Sequence, residues 1–295
     1  MMKEMKTNKK IKLPQIGYGT FPQTYELVES IPQAYKAGYK LIDTSDNYGN
    51  EEYTGKGIYG LTDCILITKF SQPLRTYEVK KCFDESSEKL TRKPDIYLLH
   101  WPYPFCWKAI WKQMEDLYLN GECRAIGVCN FKVKKLKQLL KICRVKPFVN
   151  QVERHPMFQQ KDIVDYCQMY GIKIMSYSPV ARQNEQLHNS NVLKSIAEKH
   201  GKTINQIILK WNVIKGTLPI PASKSEIHIK ENIDIFDFEL TEYEVQQIDT
   251  LEANMRVRFD PDKRFTKKEI FEFALVPLKH FIKKYILGEN NSLCE

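Results

Sequence analysis

The chain has 295 residues, 42% of them apolar, and 45 Lys and Arg against 36 Asp and Glu give a formal net charge of +9. That length and apolar content suit one large core or two smaller ones, and no apolar run reaches the ~18–20 residues that cross a membrane. The start, MMKEMKTNKKIKL, is basic with no apolar stretch behind it, which is not a secretory signal.

Residues 11–20 (IKLPQIGYGT) precede the first regular unit and are expected to form a short hairpin closing the floor of the fold. Gly17, Gly19 and Pro22 sit in a segment that looks superficially like a dinucleotide loop. It lacks the third glycine and does not join a strand to a helix, so a Rossmann reading fails on context. From residue 40 to 252, strand-like and helix-like segments alternate. Strands are expected at 40–43, 64–69, 96–100, 125–129, 147–151, 172–177, 217–221 and 234–238, each short and rich in branched and aromatic residues. Helices are expected near 51–58, 76–90, 106–119, 132–143, 160–169, 192–214, 226–232 and 241–252, from apolar residues three and four apart. Thr241 followed by Glu244 reads as a capping box for the last of these. Eight such units point to a (β/α)8 TIM barrel of parallel strands with helical crossovers. The barrel is assigned residues 1–262, with 263–295 as a separate tail. The tail stretch EIFEFALVPLKHFIKKYIL, interrupted by Pro277, is expected to be helical and to pack on the barrel in preference to lying on a membrane surface.

The basic charge is uneven. Residues 1–12 carry five Lys and one Glu, and the stretch from Phe131 to Lys146 holds seven Lys or Arg and no acid. Val133, Leu136, Leu139, Leu140 and Cys143 give that stretch an apolar stripe, so it reads as an amphipathic helix with a solvated basic face. No aromatic residues interleave with its lysines, which argues against a nucleic-acid surface. The eight cysteines show no CxxC and no zinc-type spacing. Buried free thiols in a cytoplasmic protein are expected, with no metal.

Polar residues end three successive apolar runs: Asp43, with Tyr48 shortly after, then Lys69, then His100. In a parallel barrel the chemistry gathers at the carboxyl ends of the strands. A phenol titrates near ~10 and is a poor acid at neutral pH. A nearby cation lowers that value, and Lys69 is placed to supply it, held by Asp43. His100 is placed to orient a substrate oxygen. Together they make an acid for an oxygen on which negative charge builds, which suits carbonyl reduction.

Longer segments then carry a resemblance. LPQIGYGTF (13–21), AGYKLIDTSDNYGNEE (37–52), ITKF (67–70), LLHWP (98–102), GECRAIGVCNF (121–131), VNQVERHP (149–156), SYSPVAR (176–182), IPAS (220–223) and ENIDIFDFELT (231–241) are similar, in order and spacing, to the aldo-keto reductase family, over about residues 11 to 262. The resemblance implies a barrel that holds a nicotinamide nucleotide, NADPH in the first place, across its top, and a small carbonyl substrate. It implies Tyr48 as general acid, Lys69 and Asp43 as its tuning pair and His100 as orienting donor. It puts Asn130 and Gln151 on the carboxamide and Tyr177 against the nicotinamide ring. Thr20, Asp43 and Ser178 line the ribose and phosphate path, Ser223, Lys224, Glu231 and Asn232 the adenine end, and Phe21 and Trp101 the substrate pocket, with Phe105 and Trp107 adding apolar wall. A nucleotide-binding regulatory subunit on the same fold is the alternative. Nothing identifies a dimer interface, so monomer and dimer both stay open.

Three positions depart from the family pattern. Ala222 and His228 replace the usual Lys and Arg that meet the 2′-phosphate of NADPH, so weaker NADPH preference and use of NADH are expected, with Lys224 as a partial substitute. Cys129 stands where the family has Ser. The segment between Tyr48 and Lys69 is short, and its helix EEYTGKGIYG contains two glycines before its last residue, which bears on the rigidity of the Tyr48 loop.

Overall fold

The computed structural model describes residues 11–281, so the basic first ten residues, the end of the tail and Cys294 lie outside it. The first half of the chain forms β1 (Tyr18–Gly19), α1 (Leu27–Ala37), β2 (Leu41–Asp43), α2 (Glu51–Gly57), β3 (Ile65–Phe70), α3 (Val79–Lys89), β4 (Ile96–Leu99), α4 (Trp107–Leu119), β5 (Ala125–Cys129) and α5 (Val133–Ile142). The second half forms β6 (Val149–Glu153), α6 (Lys161–Met169), β7 (Lys173–Tyr177), α7 (Glu185–His188), α8 (Asn191–His200), α9 (Ile204–Ile214), β8 (Thr217–Ile220), α10 (Glu226–Ile233), α11 (Glu242–Asp249) and α12 (Lys267–Phe281). The eight strands follow one another in sequence order around a (β/α)8 barrel, each parallel to the next. The gap between β8 and β1 is bridged by the Gly17 N–H donating to the Pro219 carbonyl at 3.0 Å and the Gly19 N–H to the Pro221 carbonyl at 2.9 Å.

Three expectations are corrected. Residues 11–20 form no hairpin; Tyr18 and Gly19 are themselves a barrel strand, paired in parallel with Ile42 and Asp43. Residues 234–238 are not a strand, because β1 already occupies the eighth place. The expected helix 192–214 is two helices, α8 and α9. Gly201, at φ 61°, ends the first, and Thr203 caps the second in a capping box with Gln206. The capping box of Thr241 and Glu244 on α11 is present as expected.

Alternation along each strand decides what faces the barrel axis. Leu41, Ile67, Leu98, Ala125, Val149, Met175 and Leu218 fill the barrel interior as one cluster. The residues between them, such as Ile42, Leu66, Tyr97, Ile126, Val152 and Ile174, pack outward under the helices. Two residues beyond the interior layer, on the same face, come Asp43, Lys69, His100, Gln151 and Tyr177. The polar site is therefore the last inward-facing layer of a continuous stack.

The helix of two glycines is tight, not loose. A Cβ on Gly55 would collide with the Lys89 carbonyl oxygen, and one on Gly57 would lie 2.5 Å from the Leu27 carbonyl oxygen. Both glycines let α2 press its backbone onto α3 and α1. In the tail, α12 places Phe273 and Val276 in the cluster that holds Tyr103 and Trp107, and Cys106 Sγ–H donates to the Phe273 carbonyl at 3.5 Å. All seven described cysteines are buried.

Gly→Ala inside a helix normally adds up to about 1 kcal/mol. Here Gly55→Ala is expected to remove about 1–3 kcal/mol, because its obstacle is backbone and not a side chain that can swing away. A urea unfolding midpoint equal to the parent's would show that α2 shifts outward at no cost.

Candidate active site

Tyr48 ends a single turn of 3-10 helix, Asp46–Tyr48, between β2 and α2. The turn follows Ser45 in extended conformation, and Asn50 ties the loop back. The Asn50 side-chain amide donates to the carbonyls of Gln23 at 2.9 Å and Thr20 at 3.2 Å, and its carbonyl accepts from Thr44 Oγ1 at 2.8 Å. Lys69, on β3, is fully enclosed, with 0% of its side chain exposed. Its Nζ donates to Asp43 Oδ2 at 2.7 Å, to the Thr44 carbonyl at 2.7 Å and to Tyr48 Oη at 3.3 Å. The other oxygen of Asp43 accepts from Gln151 Nε2 at 2.8 Å. His100 faces the Tyr48 ring edge-on at 5.8 Å between centroids. Its Nδ1 shares hydrogen bonds with Ser71 Oγ at 2.6 Å and Ser45 Oγ at 3.1 Å.

These groups open into a cavity of about 560 Å³. Of the residues expected at the site, Thr20, Phe21, Asp43, Tyr48, His100, Trp101, Asn130, Gln151, Tyr177, Ser178, Ser223 and Lys224 line it. Lys69 lies just beneath, behind Tyr48 and Asp43. Glu231 and Asn232 are on α10 and do not line the cavity; Glu231 pairs with His228 Nδ1 at 3.2 Å, and Asn232 is buried. Tyr177 Oη donates to Asn130 Oδ1 at 2.9 Å, and Asn130 Nδ2 donates to the His100 carbonyl at 3.2 Å, so β4, β5 and β7 meet at one corner. Phe21 tilts over Tyr48 at 5.0 Å and Trp101 stacks by His100 at 5.7 Å. Phe105 is exposed and Trp107, the first residue of α4, is buried in the core, and neither lines the cavity.

Burial governs the electrostatics. It pushes the Tyr48 phenol above its ordinary value, and the charge of Lys69 only partly offsets that. The expected net lowering of Tyr48 is therefore not what the enclosed site produces in this state. Burial also works against the Lys69 ammonium, but Asp43, Tyr48 and Cys129 together hold it above the usual amine range. For His100, burial and then the charges of Lys69, Arg264 and Arg258 all act downward, so the imidazole is neutral across the physiological range.

Several lining or supporting groups escaped the sequence reading. Ser71 lies two residues beyond Lys69, so strand parity alone would have flagged it. Arg182, Arg258, Phe259 and Arg264 reach the cavity from loops, where no periodicity marks them.

The model of the Aldo/keto reductase family matches the chain over residues 15–253. The chain is 40% identical to a glyoxal reductase of Bacillus subtilis (strain 168), the match covering 88% of this chain and 96% of that protein. It is 32% identical to the methylglyoxal reductase DkgA of Escherichia coli (strain K12), over 85% of this chain and 94% of that protein. The structure also matches a Bombyx mori aldo-keto reductase solved in complex with NADP, with a TM-score of 0.79 and 30% identity, covering 85% of this chain and 92% of that one.

The neutral state of His100 makes stability depend on pH in a definite direction. In the unfolded chain the imidazole takes up a proton near about pH 6.5; in the folded chain it does so only well below that. The unfolded state thus binds more protons as pH falls past 6.5, and stability falls with it, by up to about 1.4 kcal/mol per unit. In His100→Gln this component disappears, so the stability gap between parent and variant should change steadily between about pH 6.5 and 5. Parallel stability curves in urea titrations would show that the imidazole protonates as readily inside the fold as outside.

Proposed function

The chain belongs to the aldo/keto reductase family and is an NAD(P)H-dependent oxidoreductase, and on that footing we propose that it reduces a small reactive aldehyde to the alcohol, with Tyr48 as the proton donor. The observation that carries this reading is the contact of Tyr48 Oη with a buried, doubly anchored ammonium, 3.3 Å from Lys69 Nζ, on the wall of a cavity shared with His100.

The cavity suits a nicotinamide nucleotide. Gln151 commits its Nε2–H to Asp43 and leaves Oε1 as an acceptor for an amide N–H. Asn130 beside it offers a second amide, and Tyr177 supplies a ring at the same corner. Ser178, Arg182, Ser223 and Lys224 also line the cavity and offer hydroxyl and cationic groups suited to the phosphates. Bound there, the nicotinamide supplies hydride to the carbonyl carbon.

The protein's part is to place the carbonyl oxygen and give it a proton. His100 is neutral; in the tautomer where Ser71 donates to Nδ1, the proton sits on Nε2, which donates to the substrate oxygen and fixes its position. Tyr48 is held as the protonated phenol by burial, which is the form a general acid requires before the reaction. As charge builds on the substrate oxygen, Tyr48 transfers its proton. Lys69 then stabilises the phenolate left behind, and Asp43 keeps Lys69 in place. Solvent restores the proton to Tyr48 when the alcohol leaves. Phe21 and Trp101 wall the pocket. Glyoxal and methylglyoxal, named for the relatives, are the first substrates to try.

Tyr48→Phe is expected to lower reduction by about 10²–10⁴-fold while nucleotide binding, followed by fluorescence quenching, is retained. Tight nucleotide binding with no turnover of any aldehyde by the parent protein would favour the regulatory-subunit alternative instead. Cofactor choice is a separate reading. Ala222 and His228 offer little to a 2′-phosphate, and Lys224 is paired with Glu26 at 3.3 Å and largely exposed. We expect a modest NADPH preference, with the NADPH-to-NADH ratio of kcat/KM falling by about fivefold in Lys224→Ala. A strong preference that survives that substitution would remove Lys224 from the account.

A further inference from the structure

Two positive charges at the cavity have no counterpart in the chemistry above. Arg258 and Arg264 both line it. The Arg258 guanidinium lies 5.4 Å from the ring centres of Phe21 and Phe259. That of Arg264 lies 5.6 Å from Trp101, 5.0 Å from Phe259 and 5.5 Å from Phe265. Among the described residues neither guanidinium has a carboxylate partner, and Arg264 Nε is buried without any hydrogen bond. The acids of the same wall are already committed, Asp43 to Lys69 and Glu26 to Lys224. A guanidinium stacked on aromatic faces keeps its in-plane N–H groups uncommitted. A buried donor without a partner is uncommon and calls for one.

Their position says what the partner is. Phe21 separates Arg258 from Tyr48, and Trp101 separates Arg264 from His100, so each charge stands one aromatic ring away from the reacting position. Both charges also act on His100. The loop that carries them is tethered: Glu153 Oε1 accepts the backbone N–H of Val257 at 2.5 Å and of Arg258 at 3.2 Å. Lys132 holds Asp260 at 2.9 Å and Asp262 at 2.6 Å.

Resting on the reductase reading, we propose that Arg258 and Arg264 form a carboxylate-binding subsite, and that the favoured substrates are oxo acids whose carboxylate lies a few bonds from the reacting carbonyl. The planar fork of a guanidinium matches the two oxygens of a carboxylate. The aromatic rings between the subsite and Tyr48 cover the carbon chain that joins the two ends. Because the loop is fixed before substrate arrives, little ordering is needed on binding.

The test compares succinic semialdehyde with its methyl ester, which lacks the negative charge and carries one more methyl group, in the parent protein, Arg258→Gln and Arg264→Gln. The parent should favour the acid, and the acid-to-ester ratio of kcat/KM should fall by about tenfold in each variant. A parent ratio near one, or a ratio that neither variant changes, overturns the proposal. So does a loss that appears equally with both compounds together with weaker NADPH binding, which would assign the arginines to the cofactor. Binding of succinate to the protein saturated with NADP, read by calorimetry, separates this proposal from the reductase reading. If no aldehyde is turned over, succinate binding that is lost in the double variant still supports the subsite, and binding that is absent or unaffected refutes it.

Discussion

The buried pair of Lys69 and Asp43 organises the upper layer of the barrel. An ammonium with no solvent contact is sustainable only where every one of its donors is met. Lys69, on β3, meets that condition with a carboxylate from β2 and a backbone carbonyl and a phenol from the segment that follows β2. Asp43 passes the constraint across the barrel, because its second oxygen takes Gln151 from β6. Moving any of these strands by one residue would turn a polar side chain into the helix layer. The pair thus fixes register at the site as firmly as the aliphatic layers fix it below.

β6 extends that order outward. Gln151 and Glu153 lie two residues apart on the same strand. The first is tied to Asp43 at the floor of the cavity, and the second collects the backbone of Val257 and Arg258 and pairs with Arg256 at 3.7 Å. One short strand therefore sets both the base of the catalytic layer and the height of the loop above it. The tail helix α12 then packs Phe273 against Tyr103 and Phe265, close to the same loop.

How much of this was readable from the chain depends on local signals. Seven strands announced themselves through compact apolar runs, and the inward row of Asp43, Lys69 and His100 followed from their ends. β1 did not, because two residues cannot show an alternation. Residues 234–238 (DIFDF) are rich in branched and aromatic residues and misled for that reason; Ile235 is buried, but among the residues of α1 and α10. The break between α8 and α9 was present in the sequence as Gly201 and Thr203, and the apolar spacing on both sides hid it. Arg258 and Arg264 were invisible because a loop has no period, and their shared approach to the cavity exists only after Glu153 and Lys132 have fastened it. The upward displacement of Tyr48 was equally out of reach, since the degree of enclosure is a property of the assembled layer and not of any neighbour in sequence.

The join between β8 and β1 has one more property. In a parallel pair, a residue that offers its carbonyl to one neighbour would offer its N–H to the same side. Pro219 and Pro221 supply the carbonyls at this join and have no N–H to give. Only β1 donates, so the join holds half the bonds of an ordinary ladder. It is the natural place for the ring to breathe, and the amides of Gly17 and Gly19 should lose protection against deuterium before those of any other strand. Thr20 and Ser223 stand on opposite sides of that join and both face the cavity. A nucleotide lying between them would act as a clasp on the barrel, coupling occupancy of the site to the integrity of the whole ring.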